Sequence, residues 1–406
     1  MSLELGARTR AGARLVALAG ELAAGLAQRA GEHDRAGTFP HEGVQRLRRA
    51  GWFAACIPEE QGGLGVTSVH DVVVASSRLA RGDASVAIGA NMHHAALLNV
   101  VRRWQVATAA GDKRRAAAFA VSMADVVSRE VVMASAISEP GQDLTRPATR
   151  ATALDDGGWR IDGRKVFCTM SPAATMLYTS VTYENGSGPR YAYAMVPRGT
   201  PGVVVHDDWD ALGMRASGSN SVSFEDVRLP PSAVRGGFPA GEALPYVERN
   251  LPAGLLHAAA SLGVAESAWQ HVREGFAARG VPEAGAGRGL AAAIAIELAA
   301  ARALLSRAAG AIDDHHAAHP AELGAKADIL TLFAEAQAAK AFVCEAAARI
   351  VDRALILSGG AGYRATSPLA RAVRDVRAGA FMHPLGGTRA VDVLGALAVG
   401  AEPALH

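Results

Sequence analysis

Apolar residues recur at helical spacing from near the start of the chain. Leu15, Leu18, Leu22 and Leu26 lie three or four apart, which predicts an amphipathic helix. The polar run GEHDRAG (31–37) reads as its end. A second helix begins near Pro40 in FPHEGVQRLRRAGWFAACIP and is closed by Gly51 and Pro58. The turn EEQGGLG (59–65) leads into further Ala-rich helices. Between about 122 and 235 the pattern changes. β-Branched and aromatic residues rise, and WRIDGRKVFCTM, MLYTSVTYENGSG, YAYAMVPRGTPGVVVH and SNSVSFEDVRLP read as strands parted by DGG, NGSG and GTPG turns. From about 236 helical spacing returns in three long stretches, the third with a possible break. PLARAVRDVRAGAFMHP and TRAVDVLGALAVG complete a predicted four-helix bundle. The pattern therefore predicts an α+β chain in three parts: helical over 1–121, β over 122–235 and helical over 236–406.

Composition narrows what such a chain can do. Its 406 residues suffice for two or three domains, and 44 Gly with 18 Pro are too few for a collagen-like or disordered chain. The 41 basic and 39 acidic residues are interspersed, leaving a formal charge of +2. Without a concentrated basic face, nucleic acid is not an expected partner. Cys56, Cys168 and Cys344 lie too far apart to form a spaced metal site. The first apolar run is interrupted by Glu21, and no uninterrupted apolar stretch reaches the roughly 18 residues of a spanning helix. The expectation is a cytoplasmic protein that neither crosses nor coats a membrane.

Few residues stand out as chemistry. Gly62, Gly63 and Gly65 read as a structural turn, and Gly359, Gly360 and Gly362 follow a helix, so neither group is a strand–Gly–helix dinucleotide fingerprint. His315, His316 and His319 have near-helical spacing but lack Glu or Cys partners, and no metal is expected there. His93 and His94 lie among small apolar residues, either as a packed pair or as groups for proton transfer near neutral pH. His383 stands before Pro384, which restrains its backbone. In KVFCTMS, strand alternation places Phe167 and Thr169 on one face. A ring over a flat heterocycle, with a hydroxyl toward one of its nitrogens, would suit a flavin; an ordinary strand face is the alternative.

Several ordered segments together resemble the acyl-CoA dehydrogenase superfamily over almost the whole chain. They are PEEQGGLG (58–65), AISEPG (136–141), GWRIDGRKVFCTM (158–170), PRGTPGV (197–203), LGMRASGSNSVSFEDVRLP (212–230), SGGAGY (358–363) and PLARAVRDVRAG (368–379). The resemblance implies an N-terminal helical domain, a middle β-barrel-like domain and a C-terminal four-helix bundle, assembled as a homotetramer. It assigns flavin contacts to Ser138, to the neighbouring backbone at Ile137, and to Phe167 and Thr169, which match the family's Trp and Thr beside the flavin ring and N5.

Departures from the pattern are informative. The family's catalytic Glu lies eight residues beyond the Asp of its RDxR segment. Here that Asp is Asp375, and eight residues on stands His383. The alternative Glu position falls near Ala253, with Glu248 close by. The loop EPGQD (139–143) is shortened, and FAARGVPEAG (276–285) replaces the cluster that holds the adenine half of FAD, which favours FMN. These departures, with ASGSNSV (216–222), resemble the flavin-dependent monooxygenases of the superfamily. The branch implies reduced flavin from a separate reductase, O2 and a small organic substrate, oxygenated through a C4a-(hydro)peroxyflavin. His383 is expected as the base, Thr169 beside the flavin, and His93 or His94 on the opposite wall of the pocket. The alternative is a dehydrogenase or oxidase of an acyl thioester, with Glu248 or His383 as base.

Overall fold

The computed structural model describes residues 4–128, 131–141, 143–280 and 285–401. Five helices come first: α1 (Arg10–Ala36), α2 (His41–Arg49), α3 (Val69–Ala80), α4 (Ala84–Ala109) and α5 (Lys113–Ser128). Leu15, Ala19, Ala23, Leu26 and Ala30 form the buried stripe of α1. Thr9 caps its start, its hydroxyl accepting from Gly12 N at 2.9 Å.

The expected break at GEHDRAG does not occur. α1 runs on to Ala36 and stops at Gly37, whose φ of 65° is the left-handed cap. The polar run stays helical because its buried members have partners. His33 meets Glu42 at 2.6 Å and Thr38 at 2.9 Å, and Asp34 binds Arg374 at 2.8 Å. The helical part also continues through α5 to Ser128.

The middle part holds β1 (Met133–Ala136), β2 (Arg150–Ala153), β3 (Trp159–Cys168), β4 (Met176–Asn185), β5 (Gly188–Pro197), β6 (Val203–Val205), β7 (Asn220–Leu229) and β8 (Val234–Pro239). They form one mixed sheet in the order β6-β7-β3-β2-β4-β5-β8, with β1 parallel to β4. This corrects the expected β-barrel-like domain. The sheet stays open, ending at β6 and β8, which do not pair. β6 has only three residues, and β8 reads VRGGFP, with Gly236 and Gly237 at positive φ and a terminal Pro. Such short, interrupted edges cannot carry a closing ladder. Ile161, Leu177, Val181, Ala192, Ala194 and Phe224 bury the sheet's inner face.

The C-terminal part has α6 (Leu244–Arg249), α7 (Ala253–Arg279), α8 (Ala286–Ala318), α9 (Lys326–Ser358), α10 (Pro368–Asp375) and α11 (Gly387–Ala398). α9 is one unbroken helix. Only α7, α8 and α9 are long; the expected fourth helix is divided into α10, a 3-10 turn and α11. The segment joining α10 to α11 carries His383. α8 is long and apolar enough to cross a membrane by length and composition. It is nevertheless crossed by ion pairs, Arg302 with Glu266 at 2.7 Å and Glu297 with Arg349 at 2.8 Å.

Candidate active site

A cleft holding about 650 Å³ of space, its open mouth included, lies where α4, β1, β4, α6 and the 381–386 segment meet. The β part supplies Ile137, Ser138 and Phe167, and the helical part supplies Tyr246, Asn250, His257 and His383. The structure therefore brings four of the sequence-derived candidates into one cavity.

Ile137 and Ser138 follow β1 and bridge to β3, where Ser138 O accepts from Val166 N at 2.9 Å. A buried ion pair holds this bridge. Lys165 is fully buried, and its ammonium donates to Glu139 at 2.6 Å, Ser180 Oγ at 3.2 Å and Ile137 O at 3.4 Å. Glu139 also accepts from Ala148 N, Thr149 N and the Thr149 hydroxyl at 2.6–2.9 Å.

Strict alternation along β3 would turn Phe167 inward with Ile161 and Lys165. The β3–β7 register instead slips between Lys165 and Cys168, and Phe167 has φ 56°. The slip sends Cys168 into the core and leaves Phe167 62% exposed against the cleft, edge-on to Trp209. An exposed ring on a strained backbone beside an ordered bridge fits the stacking of a flat flavin ring. Thr169 does not share the exposed face. It is buried just beyond the strand, 2.9 Å from Ser219 Oγ, which lies 2.7 Å from Ser217 Oγ.

His383 is held from α6. Asn250 donates its amide N–H to Tyr246 O at 2.8 Å, which turns its Oδ1 toward His383 Nε2 at 3.2 Å. The Tyr246 hydroxyl donates to Pro384 O at 3.0 Å and presents its oxygen to the same Nε2 at 3.1 Å. Both oxygens call for a proton on Nε2. The lone pair is then on Nδ1, which has no hydrogen-bond partner among the described residues. Burial, then the nearby cations Lys340 and Arg389, push the imidazole down to about 3, so it is neutral at pH 7.

His93 and His94 do not line the cleft; Met92, Ala95 and Asn99 of the same helix do. His93 Nε2 donates to Phe53 O at 2.7 Å while Nδ1 accepts from Met133 N at 3.0 Å. His94 Nε2 donates to Trp52 O at 2.9 Å. Both rings are fully enclosed, and burial pushes them down to about 3 and about 4. The pair braces α4 against the 52–54 turn and β1. Glu248 also lies off the cleft, bound to Arg103.

The sequence reading missed Tyr246 and Asn250, although their i, i+4 spacing in PYVERN was visible. It also missed Tyr178 and Tyr193, which stack at 5.1 Å under the guanidinium of Arg249. Of the loop FAARGVPEAG, residues 281–284 lie outside the described residues, as does Gln142 of EPGQD.

Family comparisons agree with this geometry. The N-terminal, middle and C-terminal domain profiles of acyl-CoA dehydrogenases match residues 17–107, 134–227 and 249–396. The chain is 33% identical to the amino sugar nitrososynthase DnmZ of Streptomyces peucetius, over 97% of this chain and 95% of that one. It superposes with a TM-score of 0.87 on KijD3, solved in complex with FMN and dTDP-3-amino-2,3,6-trideoxy-4-keto-3-methyl-D-glucose, at 33% identity over 98% and 96% of the two chains. Methanesulfinate monooxygenase of Pseudomonas fluorescens aligns at TM-score 0.80 and 25% identity, over 96% and 98%. This chain belongs to the acyl-CoA dehydrogenase superfamily, as a flavin-dependent monooxygenase of the branch that includes the nitrososynthases.

Proposed function

We propose that the protein is an FMN-dependent, two-component monooxygenase that oxygenates an amine nitrogen, with a nucleotide-linked amino sugar as the first substrate to test. One observation carries the reading: a neutral imidazole, His383, with its Nδ1 lone pair uncommitted, shares a cleft with the exposed ring of Phe167 and the Ile137–Ser138 bridge. The likeness to DnmZ, an amino sugar nitrososynthase, and to KijD3, solved with a dTDP-linked amino sugar, supports the substrate class.

Reduced FMN, delivered by a separate reductase, supplies two electrons, so that one oxygen atom of O2 joins the substrate and the other leaves as water. Phe167 would stack on the flavin ring, Ile137 and Ser138 would hold its polar edge, and Thr169 would stand behind with its hydroxyl chain. His383 Nδ1 accepts a hydrogen bond from the substrate N–H and takes up the released proton transiently. Buried Lys340 and the Arg249 guanidinium make the cleft's surroundings positive, which disfavours an ammonium and favours the neutral amine whose lone pair must react. Apolar Met92, Ala95 and Ile137 exclude water.

We place the active form as a cytoplasmic homotetramer. Exposed Ile296 on α8, and Ile356, Val391 and Val399 near the end of the chain, offer apolar faces for like subunits.

The test supplies chemically reduced FMN, O2 and the amino sugar to purified protein. His383→Ala is expected to lower product per flavin oxidised by about tenfold or more, with hydrogen peroxide appearing instead. An unchanged yield refutes the role of His383. Tighter binding of FAD than FMN refutes the cofactor assignment.

A further inference from the structure

Behind His383, on the face of α9 that packs against α7, lies a lysine that no carboxylate meets among the described residues. Lys340 is 4% exposed. Its ammonium donates to Leu385 O at 2.6 Å and to Met382 O. These carbonyls flank the His383–Pro384 pair, so one buried cation grips the segment on both sides of the imidazole. The other polar groups around it do not neutralise it. Gln337, one turn earlier on α9, is buried with neither amide atom hydrogen-bonded, and His257 on α7 is buried with Nδ1 unpartnered. Cys344, one turn later, bonds to Ser261 at 3.6 Å. Arg389 faces the imidazole from α11, and Tyr246 and Asn250 hold it from α6.

We propose that Lys340 is the positioning residue of His383, fixing where the imidazole sits and adding its charge to the surroundings of the ring. A cation taken out of water with only carbonyl partners is costly. Here that cost is spent on a geometry: two carbonyls, one on each side of the His383–Pro384 pair, are tied to one point, which fixes the ring between them. The same charge repels a proton from the imidazole. Removing it therefore has two separable consequences, a freer segment and a more basic ring. The proposal rests on His383 acting in the cleft, as argued above, but its test does not depend on turnover.

The ring nitrogens of His383 are followed by NMR in uniformly labelled protein, assigned by comparison with His383→Gln. In the unaltered protein the ring is expected to stay neutral down to pH 5. In Lys340→Met its titration is expected to move up by a unit or more, and the acid limb of product formation with it. Lys340→Arg, which keeps the charge, is expected to keep the ring neutral. The same titration in Lys340→Met and in the unaltered protein overturns the proposal. If neither lysine variant folds, the unaltered protein still decides. Burial holds the Lys340 ammonium down to about 8, so the His383 signals are expected to shift with a midpoint near that pH while the ring stays neutral. Flat signals from pH 7 to 9.5 overturn the proposal. A shifted His383 titration in Lys340→Met, alongside full activity of His383→Ala, would keep the positioning role and remove the role of His383 in the reaction.

Discussion

Replacing Lys165 by Met leaves the volume of the site nearly filled and removes only its charge. Three contacts go: Glu139 at 2.6 Å, Ser180 Oγ at 3.2 Å and Ile137 O at 3.4 Å. Breaking a buried pair from one side costs about 3–5 kcal/mol, because the remaining charge is uncompensated. Glu139 keeps three other donors, from Ala148 and Thr149. The loss is therefore expected at the lower end, about 3 kcal/mol. It falls on the bridge that carries Ile137 and Ser138. Hydrogen exchange at Val166 N, whose acceptor is Ser138 O, is expected to accelerate by about a hundredfold, the factor that 3 kcal/mol of easier local opening provides. FMN affinity falls with it. Adding Glu139→Gln removes the stranded charge and is expected to restore much of the protection. Unchanged exchange and FMN affinity in Lys165→Met would refute the view that this pair builds the flavin-facing bridge.

The pH dependence has a definite sign. Burial works against the Glu139 carboxylate, but Lys165 and the hydrogen bonds hold it below its ordinary range. Its contribution is present above the ordinary carboxylate pKa and is lost as pH falls through the lowered value. In Lys165→Met burial acts without the lysine, and the carboxyl is pushed up instead. The folded variant then takes up a proton before the unfolded chain does. Its deficit is expected to shrink as pH falls from 7 to 5. A deficit independent of pH would point to lost packing rather than to charge.

Two further outcomes follow from the geometry. Glu248→Gln is expected to lower stability by about 2 kcal/mol through the stranded Arg103, less than for a fully enclosed pair because Arg103 is 21% exposed, and to leave product per flavin oxidised unchanged in the reduced-flavin assay. Loss of turnover without loss of stability would return Glu248 to the role of base and favour a thioester substrate. His93 and His94 are held neutral when folded, with pKa values of about 3 and 4. Below about pH 6.5 the unfolded chain binds protons that the folded one refuses, so each ring makes stability fall by up to about 1.4 kcal/mol per pH unit between there and its folded value. The urea midpoint is expected to drop from pH 7 to 5, and His93→Gln to lessen that slope by one proton; an unaltered slope refutes it.

How much of this was legible in the chain differs from element to element. Period and turn chemistry located the helical, β and helical parts, since burial of one stripe or one face is local. The departure at His383 was legible because it is a change of residue at a counted position. The break expected at GEHDRAG was misread, since its partners Glu42 and Arg374 come from elsewhere in the fold, the latter 340 residues away. Sheet closure was not legible either: it depends on whether β6 and β8 can meet, and the Gly-Gly-Pro content of β8 was the available hint. Alternation put Phe167 and Thr169 on one face, but the slip opposite β7 turns Phe167 outward while Thr169 is buried, and a register slip leaves no mark in the period. His93 and His94 show the limit of residue type as a guide. Adjacent imidazoles on a helix point apart by about 100°, and here both directions lead into packing.

The two walls of the cleft are built on opposite principles. On the β side, Lys165 and Glu139 satisfy one another and five neighbouring groups, so the Ile137–Ser138 bridge is closed electrostatically and its charges cancel. On the helical side, Lys340 meets only carbonyls, His257 and Gln337 have buried atoms without partners, and His383 keeps Nδ1 uncommitted. A wall that must hold one invariant ring system gains from being fully satisfied, because nothing then competes for its geometry. A wall that must receive a substrate and move a proton gains from unmet hydrogen-bonding capacity, and that capacity is tolerable only where packing prevents collapse. Tyr246, which holds the imidazole, and Leu256, beside His257 on α7, are each less than 2% exposed, and they supply that packing.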